Sequence, residues 1–221
     1  MNEQNLQEFA RKYFDLIWNE FSGINLTAID NFDEFYSKQI LDSVLPAQKI
    51  DFFSEKLVHV ELILDVGFGG GFPILPLAKI FPEKKFFGIE ARNKKVDVVR
   101  IIAERLHLKN VSLYHGRLED ILIDVNAVIT FKAVGKIKDM IAKINATKEV
   151  TAFFYKGPHF SDKENFSTSS KSNEGWKIVS DSEIDVPGTE GRRLIGVQIV
   201  PRGTKRNHKF LVKLSDLLIE S

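Results

Sequence analysis

The sequence predicts an α/β protein, a doubly wound and mostly parallel sheet preceded by a helical extension. Three observations carry that prediction. From Leu62 onward, apolar runs of strand length alternate with segments of helical length, the pattern of a parallel sheet with crossovers on both faces. The run Leu62-Ile63-Leu64-Asp65-Val66 passes directly into Gly67-Phe68-Gly69-Gly70-Gly71-Phe72-Pro73, which reads as a buried strand, a glycine loop and a helix start. Ahead of it, Leu6, Phe9, Ala10, Tyr13, Phe14, Ile17, Trp18 and Phe21 fall on one stripe at 3.6-residue spacing.

The elements follow in order. The aromatic stripe is the core face of a first helix. A second helix is predicted from Asp33 to Leu45 and a third starting at Pro46, since proline suits a first helical turn. Strand 61–66 leads to a helix after Pro73, strand 85–90 to a long helix over 93–107, and strand 111–115 follows. Strand 126–131, helix 136–145 and strand 149–155 continue the alternation. Two late extended runs, 176–184 and 193–200, would close a seven-stranded sheet as a hairpin. Between them and strand 149–155, residues 161–174 are rich in Ser and Asn and read as a mobile loop.

Composition narrows the chemistry. With 221 residues, 43% of them hydrophobic, the chain can fill one well-cored domain. It has no cysteine, which excludes disulfides, zinc–cysteine sites and the covalent thiolate route to pyrimidine C5 methylation. None of His59, His107, His115, His159 and His208 forms a ligand pair, so no metal is expected. The start Met1-Asn2-Glu3-Gln4 is polar and no apolar run approaches the ~18 residues of a membrane span, so the expectation is a cytoplasmic protein with no membrane partner. The net charge of +1 is uneven: residues 1–60 hold ten acids against five bases, and the remainder carries +6. Basic residues recur at Arg92-Lys94-Lys95-Arg100-Arg105, at Arg192-Arg193 and at Arg202-Lys205-Arg206-Lys209-Lys213, a distribution that suits a nucleic-acid face, although any one cluster is more often an ordinary solvated surface.

The glycine loop, with Glu90 closing the next apolar run, is a nucleotide-type grip: glycines admit the ligand and a carboxylate takes the ribose hydroxyls. A dinucleotide fingerprint fails, because its third glycine would fall at Phe72 or Ile74, and no G-x-x-x-x-G-K-[ST] is present. The D-x-G-x-G-x-G spacing from Asp65 resembles motif I of the class I S-adenosylmethionine methyltransferases, a Rossmann-like fold. After the fourth strand, Thr130-Phe131-Lys132-Ala133-Val134 carries neither the Pro-Pro nor the carboxylate of a clamp for an exocyclic amine. A ring nitrogen such as guanine N7 has a free lone pair and no proton to remove, so positioning alone can carry the catalysis. A SAM-binding protein without turnover would also lack a general base.

Further matches are more specific. Asn25-Leu26-Thr27, Ile40-Leu41-Asp42-Ser43, Asp65 to Pro73 with Pro76-Leu77-Ala78, Glu90 with Lys94-Lys95, Gly116-Arg117-Leu118-Glu119-Asp120, Lys156-Gly157 and Gly191-Arg192-Arg193-Leu194 together resemble the bacterial RsmG (GidB) family. Its members methylate N7 of a guanosine in the 530-region loop of 16S ribosomal RNA. The resemblance implies S-adenosylmethionine as cofactor and 16S rRNA or the small ribosomal subunit as partner, with a monomer expected. Gly67, Gly69 and Gly71 would line the cofactor pocket together with Phe68 and Phe72, with Asp65 bracing the loop. Glu90 would bind the ribose, and Leu118 and Glu119 would sit beside the adenine. Lys132 and Arg192 are the candidate catalytic residues, Lys132 also touching the cofactor. Arg117, Lys156, Arg192, Arg193, Arg202, Lys205 and Arg206 are candidate RNA contacts, with a structural ion pair an equal alternative for Arg117 and Arg192. Two departures stand out. Lys132 replaces the arginine of the family's [ST]-R-A motif, which keeps the charge and loses the fork, and Gln39 stands where many members carry histidine. The implied organisation is a helical extension over 1–56, a methyltransferase domain over 57–201 and a basic tail over 202–221. A methyltransferase acting on another RNA or a small molecule, and a non-catalytic SAM-binding regulator, are the alternatives.

Overall fold

The computed structural model describes residues 2–160, 164, 175–199 and 210–219. The predicted mobile loop, Glu164 apart, and the basic tail with Arg202, Lys205 and Arg206 lie outside the described residues. The N-terminal layer begins with α1 (Glu3–Asp15), capped by the Asn2 side chain, which accepts the Asn5 amide at 2.9 Å. The helix runs on as a wider π turn, Leu16–Glu20, and its stripe buries Leu6, Phe9, Ala10, Tyr13 and Ile17. A short α2 (Phe32–Phe35) leads through a second π turn, Tyr36–Leu41, into α3 (Asp42–Lys49), followed by α4 (Asp51–Val58). The predicted helix start at Pro46 is therefore corrected: Pro46 lies inside α3, and the break falls at Ile50, whose backbone is extended. Pro46 removes the bond to the Asp42 carbonyl, in the turn that directly follows the wide turn.

The sheet follows. Strand β1 (Leu62–Val66), α5 (Ile74–Ile80), β2 (Lys85–Glu90), α6 (Asn93–Arg105) and β3 (Val111–His115) build one half. The second half contains β4 (Ile121–Ile123), β5 (Ala127–Lys132), α7 (Ile137–Ile141), β6 (Asn145–Ala146) and β7 (Val150–Lys156). It ends with β8 (Trp176–Ile184) and β9 (Arg192–Ile199), and then β10 (Val212–Lys213) and α8 (Leu214–Ile219). Seven strands pair in the order β3-β2-β1-β5-β7-β9-β8, with only β9 running against the rest. Three very short strands, β10, β4 and β6, form a second sheet that no sequence period announces, and it ends α7 four residues before the predicted 145.

Alternation along the strands assigns the two cores. Ile63, Phe86, Val128, Phe153 and Tyr155 face α1–α6, while Leu64, Phe87, Ile129, Phe131 and Phe154 face α7 and α8. The N-terminal helices thus share one continuous core with the sheet. Its order reverses between β1 and β5, the place where open α/β sheets hold ligands beyond the strand ends.

Candidate active site

Three segments meet at that reversal: the loop after β1, the Glu90 end of β2, and Ala133–Gly135 after β5. They separate two adjoining cavities. The larger, about 1250 Å³, is walled by Leu26, Gln39, Phe68, Phe72, Lys132, Lys156 and Arg192. The smaller, about 410 Å³, is walled by Glu90, Arg117, Leu118, Glu119 and Lys143. Gly67, Gly69, Lys95, Val134 and Gly135 border both.

Gly69 sits at φ +57, and a Cβ there would meet only the Gly67 carbonyl, at 3.8 Å, so its open side is the cleft itself. Its amide donates to Glu90 Oε2 at 3.0 Å while the Arg92 amide donates to Oε1 at 3.0 Å. The loop therefore orients the nearly buried Glu90 carboxylate and leaves it lone pairs for ribose hydroxyls. An open glycine beside a fixed carboxylate, with the buried Leu118 across the smaller cavity, fits an adenosyl cofactor. Gly71 serves a different end. It borders neither cavity, and a Cβ there would run into the Tyr13 hydroxyl, which donates to the Gly70 carbonyl. The first helix thus braces the glycine loop from below, with Phe72 stacked on Tyr13 at 5.1 Å.

Asp65 is fully buried one strand position before Val66. Thr130 Oγ1 donates to its Oδ1 at 2.7 Å and ties β1 to β5, while Oδ2 has no partner among the described residues. Burial pushes this carboxyl up to about 7, with the Thr130 bond, the Ile74 backbone amide and the Lys132 charge opposing it. The sign follows from proton counts. Between the unperturbed 3.8 and about 7 the folded state binds more protons than the unfolded chain, so this group's contribution to stability falls as pH rises through that window. Asp65→Asn is expected to abolish that slope and to be the more stable protein at pH 8; denaturant unfolding across pH 5–8 with parallel curves for both proteins would contradict it.

The basic residues are mostly tied down. Asp42, at the start of α3 and 2% exposed, accepts from Arg192 Nε at 2.7 Å and Nη2 at 2.5 Å, and meets Lys132 Nζ at 3.1 Å. Burial alone would raise the Asp42 carboxyl, but Lys132 and Arg192 together hold it below its ordinary range. Burial lowers the Lys132 ammonium even so, with the Arg192 charge adding to it and Asp42 opposing both. Lys132 Nζ also donates to the Lys38 carbonyl and to Gln39 Oε1, each at 3.1 Å. The two departures from the family pattern, Lys132 and Gln39, are therefore in direct contact. Lys156 pairs with Glu164 at 2.6 Å and Arg193 with Asp181 at 2.7 Å. Arg117 is exposed, 3.9 Å from Glu119, which also meets Lys143 at 3.7 Å; such solvated pairs contribute little.

The fold brings Gly67, Gly69, Glu90, Leu118, Glu119, Lys132, Lys156 and Arg192 around the cavities, and leaves Arg193 on the β8–β9 hairpin outside their lining. Sequence reasoning assigned no role to Ala133, a non-glycine residue at φ 58 on the cleft wall, nor to Asp42. Asp42 had a signal, a lone acid in the apolar stretch Ile40–Leu45, whereas Ala133 had none.

Residues 6–184 match the GidB family, described as rRNA small subunit methyltransferase G. The ribosomal RNA small subunit methyltransferase G of Lactococcus lactis subsp. lactis (strain IL1403) is 32% identical over 205 residues, 88% of this chain and 82% of that relative. Its namesake in Lactococcus lactis subsp. cremoris (strain SK11) is 38% identical over 158 residues, which cover 71% of this chain and 63% of the relative. Among solved structures, a SAM-dependent methyltransferase from Aquifex aeolicus shares 18% identity over 72% of this chain and 95% of that one, with a TM-score of 0.48. On the family match and the relatives' identity, the chain belongs to the GidB family of rRNA small subunit methyltransferases.

Proposed function

We propose that this chain transfers a methyl group from S-adenosylmethionine to N7 of a guanosine in the 530-region loop of 16S rRNA. Its family makes it a SAM-dependent methyltransferase, and the acceptor atom and its RNA context are the proposed part. The observation that carries the reading is the adjacency of the two cavities: the cradle at Gly69 and Glu90 shares its border with a larger chamber walled by Lys132, Lys156 and Arg192. When bound, the cofactor supplies a methyl on a sulfonium with a neutral leaving group. Glu90 holds the ribose, Leu118 and Glu119 bound the adenine, and Gly67 and Gly69 leave room along the methionine part. The acceptor N7 brings its own lone pair and carries no proton, so no base is required, and the protein's task is orientation. Lys132 and Arg192, fixed by one carboxylate, form a rigid cationic wall for the RNA backbone rather than a proton acceptor.

The test is transfer of radiolabelled methyl from SAM to small subunits and to rRNA from cells lacking this protein, mapped by cleavage at N7-methylguanosine. One labelled guanosine in the 530-region loop is the expected result. No label in either substrate, with SAM binding intact, would remove rRNA as the acceptor.

A further inference from the structure

Among the described residues, several cations at or near the cavities are already matched by carboxylates of the protein itself. Asp42 takes Arg192 and Lys132, Glu164 takes Lys156, Asp181 takes Arg193, and Glu34 takes Lys38. Lys95 differs. It borders both cavities, and among the described residues no hydrogen bond or ion pair reaches its ammonium. Its position is unfavourable on three counts. It lies in the first turn of α6, where the helix dipole disfavours a cation. Its partial burial pulls the ammonium pKa down, and nearby Arg92 adds to that, with Glu90 the only opposing charge. A half-buried charge placed against local preference, with no direct hydrogen bond or ion pair among the described residues and facing a ligand cleft, marks a residue whose partner arrives from outside.

We propose that Lys95 receives a backbone phosphate of the RNA where the strand passes over the cofactor cradle into the larger chamber. This rests on the rRNA reading above and names a contact within it. A compact ammonium on a flexible four-carbon stem suits a phosphate as a point charge, without the fixed geometry a fork would impose. In the proposed reading the glycine loop would run along the methionine part of the cofactor, while Lys95 stands near Glu90, which would hold the ribose. An anion reaching it from the larger chamber would then be external to the cofactor.

Lys95→Gln, Lys95→Glu and Lys95→Arg separate the sources of that anion. SAM affinity is read by calorimetry, and binding of protein-free 16S rRNA is read over a salt series, with thermal midpoints confirming folded protein. The expected result is SAM affinity unchanged within about twofold for all three. Binding of rRNA should weaken for Gln and more for Glu, its salt slope falling by about 1, and Arg should restore it. A loss of SAM affinity with the rRNA slope unchanged would overturn the proposal in favour of the cofactor carboxylate, and no change in either would overturn it outright. If wild-type protein binds rRNA no better than an unrelated RNA, it is the rRNA reading that fails, and that is seen before any variant is compared.

Discussion

Gly69→Asp is expected to abolish cofactor binding, weakening SAM affinity by at least about a hundredfold, roughly 2.7 kcal/mol, while leaving the protein folded. The left-handed backbone at this position admits aspartate better than most residues, at a cost of about 1–2 kcal/mol. A Cβ here meets nothing but the Gly67 carbonyl, so the new side chain enters the cleft rather than the core. It would place a second carboxylate beside Glu90, in the volume the ribose and methionine part would take. Gly71→Ala should behave in the opposite way. Its Cβ strikes the Tyr13 hydroxyl and the Leu75 side chain, so it should lower the thermal midpoint first. Calorimetric titration with SAM and thermal unfolding of both variants check the pair. Unchanged affinity in Gly69→Asp would show that the cofactor lies elsewhere.

That contrast also shows what the sequence could and could not disclose. The D-x-G-x-G-x-G spacing located the loop and Glu90 because a strand-to-helix turn and a strand-end carboxylate are local features, separated by one crossover. The strands β1, β2, β3, β5 and β7 were legible for the same reason, as apolar runs of strand length between helical segments. The division of labour among the glycines was not legible, since it depends on Tyr13 and Leu26 arriving from the N-terminal layer beneath the loop. The second sheet was missed because two- and three-residue strands have no measurable period. The π turns at Leu16–Glu20 and Tyr36–Leu41 were read as plain helix, because a single extra residue in a turn hardly disturbs an apolar stripe. For Arg192 an ion pair and an RNA contact stood as equal readings, because a sequence shows charges but not their partners. Asp42 and Arg192 are 150 positions apart and share a bidentate bond.

Asp42→Ala is expected to be the most damaging single change in the site. It would leave the Arg192 guanidinium and the Lys132 ammonium facing one another across a buried gap, and breaking a buried pair of this kind costs about 3–5 kcal/mol. For a chain of this size that corresponds to a fall of about 10 °C in the thermal midpoint. Lys132→Ala should cost less, because Asp42 keeps its bidentate bond to Arg192 and no buried charge is left without a partner. It should still cut methyl transfer more than SAM binding, since Lys132 walls the larger chamber and not the smaller one. Adding Lys132→Ala to Asp42→Ala should recover part of the lost stability by removing one orphaned charge, a coupling that a double-mutant cycle measures directly. Asp42→Asn separates charge from shape. It keeps one acceptor for Arg192 but withdraws the anion that supports the Lys132 ammonium, so the lysine should lose its proton at a lower pH and methyl transfer should fall with it. If Asp42→Ala and Lys132→Ala destabilise equally, or if the cycle shows no coupling, the shared carboxylate is not what holds this wall together.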